Sequence, residues 1–257
     1  MIISRKKFLQ VTGISVLCTV AERLSGTLAG AMQSTQPTVT EALTASRWAM
    51  IVDLPKCSQA DSCTECIEAC HTAHNVPQIN NQAHRIEWIW RDSYEKAFPS
   101  EKSEYLAASI KKAAVPLFCN QCDNPPCVRV CPAQATWKQE DGIVVIDWHR
   151  CIGCRYCMAA CPYGSRSFNW VDPRPHIAQM NPDFPTRTIG VVEKCNFCEE
   201  RLAKGGLPAC VEACPEKALT FGDLADSNSA VRELLESRFS IRRKLELGTN
   251  PQIFYIV

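Results

Sequence analysis

The sequence predicts an α+β fold made of two small cysteine-rich modules, one continuous in the chain and one assembled from distant segments, with loop and helix insertions. Three observations carry this expectation. Sixteen of the 17 cysteines fall into four groups of four, and only Cys18 stands apart. The second and third groups flank a β-hairpin pattern. A short apolar stretch leads into the first group and another follows the fourth, so the two ends of the cysteine-bearing region can share a sheet.

The third group sets the chemistry. Cys151, Cys154, Cys157 and Cys161, followed by Pro162, have the C-x2-C-x2-C-x3-C-P spacing of a bacterial iron–sulfur ligand run. Three cysteines in one tight turn reach three corners of a [4Fe–4S] cube, and the fourth, a turn further on, faces away toward a second cube. Gly153 lets the backbone come close to the inorganic core. A four-cysteine zinc site is the competing reading.

The chain is nearly neutral, with 28 basic and 27 acidic side chains, and has no long charged run of the kind that binds nucleic acid. Four oxidised cubes at about −2 each would take the loaded protein to about −7, a charge that favours basic docking partners.

Residues 1–31 read as a targeting peptide: Ser4-Arg5-Lys6-Lys7-Phe8-Leu9-Gln10, then a mildly apolar stretch too short to span a bilayer, then small residues to Ala31. The pattern resembles a twin-arginine signal with Lys6 in the second arginine position. That route carries folded cargo, and cleavage near Ala31 would remove Cys18. Residues 32–46 read as a linker, residues 47–224 as the domain holding the four groups, and residues 225–257 as a C-terminal helix and extended arm.

Trp48 to Asp53 reads as a strand running into the first group, Cys57, Cys63, Cys66 and Cys70, whose first gap is longer and which lacks the trailing Pro. His71 and His74 follow and are expected to be solvated helix-end residues rather than ligands. Trp88 and Trp90 alternate as in a half-buried strand, and Glu101 to Ala114 has helical spacing. The second group is Cys119, Cys122, Cys127 and Cys131, then Pro132. Thr136 to Asp147 reads as a hairpin turning at Asp141-Gly142. Group, hairpin, group is the layout of a two-cluster bacterial ferredoxin. Residues 163–194 are Pro- and Asn-rich and are expected to form a loop without helix or strand, solvated by default, with a long ordered loop at a partner surface as the alternative. The fourth group is Cys195, Cys198, Cys210 and Cys214, then Pro215. Leu219 to Phe221 is a strand that can pair with Ala49 to Val52. A capped helix near Ser229 to Ser237 and a strand over Pro251 to Val257 complete the pattern, with no stop-transfer helix.

By analogy with two-cluster ferredoxins, the last cysteine of each group serves its partner's cluster. Cluster 1 would be held by Cys57, Cys63, Cys66 and Cys214, and cluster 2 by Cys70, Cys195, Cys198 and Cys210. Cluster 3 would take Cys119, Cys122, Cys127 and Cys161, and cluster 4 Cys131, Cys151, Cys154 and Cys157. Adjacent C-x2-C cysteines resist bonding to each other, which argues against a disulfide framework. The chain has no nucleotide-binding glycine run and no flavin motif, and no catalytic residue is expected. Electron transfer leaves the fewest features unused.

Over about residues 47–257 the four groups resemble the iron–sulfur subunits that accompany molybdopterin oxidoreductases, nitrite-reduction systems and polysulfide reductases. Cys119–Trp170, Asn181–Leu224 and the Glu246–Val257 ending are most similar to the DsrO family, the exported iron–sulfur subunits of DsrMKJOP membrane complexes of sulfur metabolism. The resemblance implies four [4Fe–4S] clusters and a place on the extracytoplasmic face of the membrane. It also implies electron relay between a multihaem cytochrome c and a quinone-interacting, NrfD-like integral membrane subunit, beside further subunits of the complex. The nearest alternative is the electron-transfer subunit of a molybdopterin, nitrite-reduction or hydrogenase complex.

Overall fold

Trp48–Asp53 is buried at all six positions, as a strand paired on both edges and packed on both faces must be. The computed structural model describes residues 41–60, 63–101, 104–105, 111 and 114–257. The expected targeting peptide, most of the linker, and Leu106 and Ile110 of the expected Glu101–Ala114 helix lie outside the described residues. In the four-stranded sheet, Leu219–Asp223 runs antiparallel to Trp48–Asp53, with Met50 opposite Phe221 and Val52 opposite Leu219. On the other edge Ile253–Ile256 runs parallel, with Met50 opposite Ile253, and Ser240–Ile241 lies beyond it. Strand alternation divides the side chains between two cores. Trp48, Met50 and Val52 join Trp88, Phe118, Phe197 and Tyr255, whereas Ala49, Ile51 and Ile256 pack against Val231 of the helix Ala230–Ser237. That helix begins where Ser229 Oγ accepts the Arg232 N–H at 3.2 Å, the expected cap.

Among the described residues, three two-stranded ladders accompany this sheet. Ile89–Ser93 pairs with Ala114–Phe118, Thr136–Lys138 with Val144–Ile146, and Ser167–Phe168 with Val192–Glu193. The first strand starts at Ile89, just beyond the buried Trp88. The second ladder is the expected hairpin, with Gly142 at φ +88 in its turn.

The third ladder corrects the reading of residues 163–194. The segment leaves and returns through its own short strands, and its Phe184 and Arg187 are buried. Arg187 Nη2 lies 2.6 Å from Glu193 Oε2, and neither side chain is exposed. Glu193 also accepts from Trp88 Nε1 at 2.8 Å and Asn169 Nδ2 at 2.6 Å, and Arg187 donates to the Asn75 carbonyl at 2.8 Å. A buried ion pair is tolerated only with such additional partners. The Pro- and Asn-rich stretch is therefore pinned over the core rather than left in solvent. Among the described residues, no helix is long and apolar enough to cross a membrane.

Candidate metal centres

Cys66 and Cys70 sit four residues apart on one helix, Glu65–Ala73, and so on one face of it. Cys57 ends the short helix Leu54–Cys57, which Asp53 caps by accepting the Lys56 N–H at 3.1 Å. Cys198 has φ +57 at the start of Glu199–Leu202, and Cys210 lies on Ala209–Glu212. These elements bring sequence-distant cysteines together. Burial pushes the Cys66 thiol up to about 12, and its neighbours Cys57, Cys63 and Cys214 push it the same way. Burial also holds Cys70 well above the ordinary thiol range, reinforced by Cys195, Cys198 and Cys210.

The other two quartets line two cavities. Cys119, Cys122, Cys127 and Cys161 line one, and Cys131, Cys151, Cys154 and Cys157 line the other. Burial pushes Cys122 up to about 12, with Cys119, Cys127 and Cys161 adding to it. The quartets also adjoin one another in order. Cys66 raises Cys70 and Cys210, Cys119 raises Cys195, and Cys127 raises Cys157. The sixteen cysteines form no disulfides. Four crowded thiols in a dry site ionise together only beside a strong cation, which is what an iron–sulfur core supplies. The donor set fits that group.

The second, third and fourth groups share two backbone devices. The residue just before the second cysteine is left-handed in each: Gln121 at φ 44, Gly153 at φ 69, Phe197 at φ 56. So is the third residue after the last cysteine: Gln134 at φ 49, Gly164 at φ 68, Lys217 at φ 47. The second device turns the next N–H back toward the cysteine. Ala135 N–H donates to Cys131 Sγ at 3.2 Å and Ala218 N–H to Cys214 Sγ at 3.2 Å, and the Ser165 backbone hydrogen-bonds to Cys161. Hydrogen bonds to ligand sulfurs stabilise the thiolate and tune the site. Gly153 has an additional constraint that its spacing does not reveal. A Cβ there would lie 2.2 Å from the Gly190 carbonyl oxygen, so the close approach is to the pinned segment.

The histidine reading needs correction. His74 is buried, stacks on Trp88 at 4.6 Å between ring centroids and meets Phe184 edge-on at 4.8 Å. Its Nδ1 lies 2.8 Å from the Cys70 carbonyl oxygen and 3.6 Å from Cys70 Sγ, and its Nε2 lies 2.9 Å from Glu200 Oε1. His74, Cys198 and Glu200 converge within 4.8 Å, but both ring nitrogens already face protein partners. Burial, with His74 and Arg187 nearby, lowers His71 to about 4, and its Nε2 is enclosed. Neither residue is a solvated helix end, because Phe184 and Arg187 come from a segment more than 100 positions away and cover this side of the helix.

Of the buried cations among the described residues, Arg166, Arg187, Lys194 and Arg243, none was read from the sequence, and two contact the cysteine groups directly. Lys194 Nζ donates to the Val144 carbonyl and, at 2.7 Å, to the Cys195 carbonyl. Arg166 Nη2 donates to Cys127 Sγ at 3.1 Å and Thr136 Oγ1 at 3.0 Å. The only sequence signal for Lys194 is its place directly before Cys195, and Arg166 has none.

Comparison with known proteins agrees with this chemistry. The family model described as a 4Fe-4S dicluster domain matches residues 110–181 and 180–224. The chain is similar to Hdr-like menaquinol oxidoreductase iron-sulfur subunit 1 of Archaeoglobus fulgidus, 38% identical over 98% of this chain and 97% of the relative. It is 36% identical to the iron-sulfur cluster-binding subunit of menaquinone reductase of Nitratidesulfovibrio vulgaris, over 82% of this chain and 88% of that one. Protein NrfC of Escherichia coli is 36% identical over 98% of this chain and 95% of its own length. The chain belongs to the NrfC-like iron–sulfur subunits built on 4Fe-4S dicluster domains, the electron-transfer members of oxidoreductase complexes.

Proposed function

We propose that this chain relays electrons through four [4Fe–4S] clusters between a multihaem cytochrome c and a quinone-interacting, NrfD-like membrane subunit, in a DsrO-type complex of sulfur metabolism. The observation that carries the reading is the order of the cysteine quartets. Each adjoins the next, from Cys57/Cys63/Cys66/Cys214 through Cys70/Cys195/Cys198/Cys210 and Cys119/Cys122/Cys127/Cys161 to Cys131/Cys151/Cys154/Cys157. Bound cubes supply one-electron redox chemistry. The chain's own residues hold the sites in series, exclude water from the inner ones and offer N–H groups to the sulfurs. Cys154 is exposed at the far end of the series, which suits exchange with a partner there.

The relatives' names support a quinone-linked complex: one is a subunit of a menaquinol oxidoreductase and another of a menaquinone reductase. The cytochrome partner and the sulfur-metabolism setting rest on the DsrO resemblance, as do export in the folded state and a peripheral place on the extracytoplasmic face.

The test is iron and acid-labile sulfide on anaerobically purified protein, with EPR after reduction. About sixteen of each per chain and a magnetically coupled multi-cluster signal are expected. About four zinc per chain and no sulfide would end the electron-transfer reading. Affinity capture of the intact membrane complex then separates the partner readings. A cytochrome c and an NrfD-like protein are expected, and a molybdopterin subunit in their place would favour the alternative.

A further inference from the structure

The positive charge inside this protein is unevenly placed along the line of quartets. Lys194 and Arg166 are both buried, and neither has a carboxylate within 4.0 Å among the described residues, although the half-buried Glu199 interacts with Lys194 over a longer distance. A buried cation without a counter-charge is costly, and proteins rarely keep one unless something nearby is negative. Lys194 sits at the seam between the second and third quartets. One of its carbonyl partners belongs to Cys195 of the second, and the other to Val144, which lines the cavity of the third. Gln121 ties the same seam together, accepting the Val144 N–H at 2.8 Å and donating to the Cys195 carbonyl at 2.9 Å.

Arg166 sits at the next seam. Its Nη2 is on Cys127 of the third quartet, it also interacts electrostatically with Cys157 of the fourth and Cys119 of the third, and its buried Nη1 has no hydrogen-bond partner. The remaining quartets differ. The second has Glu200 beside Cys195 and Cys198. The first has Arg91, which is partly exposed and spends Nη1 on the Cys63 carbonyl. Among the described residues, only the Cys119/Cys122/Cys127/Cys161 site has a buried cation on each side.

We propose that Lys194 and Arg166 are fixed counter-charges that make the Cys119/Cys122/Cys127/Cys161 centre the most easily reduced of the four, the place where an electron rests within the line. Adding an electron makes a cluster one unit more negative, and a nearby buried cation favours that state in a medium that screens poorly. Both residues act through the cluster's field rather than as ligands. The inference rests on the four-cluster reading above.

The test is an EPR-monitored redox titration of the full chain, loaded and anaerobic, for wild type, K194Q and R166Q. Gln keeps a donor at each place and removes the charge. Because Lys194 adjoins the second and third sites and Arg166 the third and fourth, the third is the site they share. Both variants are expected to shift the same signal, that of the highest-potential centre, by at least tenfold in its reduction equilibrium, which is 59 mV for a one-electron couple. K194R and R166K are expected to leave it in place. Different signals moving in the two variants, or no signal moving tenfold, would overturn the proposal. If K194Q does not load, R166Q and R166K decide it alone: a fall of the highest-potential signal in R166Q but not in R166K supports the assignment, and its absence refutes it. Wild-type iron and sulfide well short of sixteen would instead remove the four-cluster reading itself.

Discussion

Gly153 and Gly164 are both left-handed, at φ 69 and φ 68, yet replacement by Ala should affect them very differently. At Gly164 an added Cβ meets nothing within 4 Å. The cost is the left-handed backbone alone, about 1–2 kcal/mol, and Gln134 and Lys217 already carry that geometry at the equivalent positions. At Gly153 the conformation is no more demanding, since Gln121 and Phe197 adopt it too. There the Cβ would lie 2.2 Å from the Gly190 carbonyl oxygen and 3.2 Å from Phe168 Cε2. Relief requires moving backbone by most of an ångström in a segment pinned by the Arg187–Glu193 pair, and overpacking of that kind adds about 1–3 kcal/mol. The assay is the rate of iron release to a chelator from loaded protein, because irreversible loss is compared by rate. G153A should lose iron about tenfold faster than G164A, since each 1.4 kcal/mol is a factor of ten. Equal rates would show that the contact with Gly190 does not hold the cysteine loop, and the argument would fail.

Three further outcomes follow from the same geometry. E193Q leaves Arg187 buried opposite a neutral amide and should cost about 3–5 kcal/mol, read as at least tenfold faster unfolding in guanidinium; a rate within twofold of wild type would mean the pair does not pin residues 163–194. S229A removes the cap of Ala230–Ser237 and should cost about 1 kcal/mol in thermal stability while iron content stays unchanged; lost iron would show that this helix supports a cluster. C214S should remove about four iron per chain from the centre shared with Cys57, Cys63 and Cys66, and the same loss from the centre shared with Cys195 and Cys198 would reject the exchanged ligation.

What was legible in the chain was whatever a short run of residues decides by itself. The hairpin with its Asp141-Gly142 turn, the Ser229 cap and the strand leading into Cys57 all depend on neighbours within a few positions, and each is where the sequence places it. The pairing of Ala49 to Val52 with Leu219 to Phe221 was also legible, because two apolar strands flanking the outer cysteine groups have few other partners, whereas its antiparallel sense was not. The parallel strand Ile253–Ile256 on the opposite edge was visible as a strand but not as a partner, since nothing local specifies its register. Residues 163–194 misled for a physical reason. Their order comes from one buried ion pair and two-residue strands, and neither produces a periodic pattern. The misplacement of His74 and the silence about Lys194 and Arg166 follow from that, because long-range covering is what buries a polar residue in the interior.

The first cysteine group shows how one local change redistributes the polar contacts. In the other three groups a Pro follows the last cysteine, the chain turns through a left-handed residue, and the backbone four positions on serves the sulfur. After Cys70 no Pro intervenes and the helix runs on to Ala73. The N–H four positions on, that of His74, is therefore taken by the Cys70 carbonyl at 3.1 Å and cannot reach the sulfur. What stands near Cys70 Sγ instead is the ring of the same residue, Nδ1 at 3.6 Å, oriented by Glu200 on its far nitrogen and by Trp88 against its face. A side chain thus occupies the place that a backbone amide holds elsewhere, and its position depends on Phe184 and Arg187 closing over it. The cysteine that links the first group to the second quartet is supported by the part of the chain least legible from spacing.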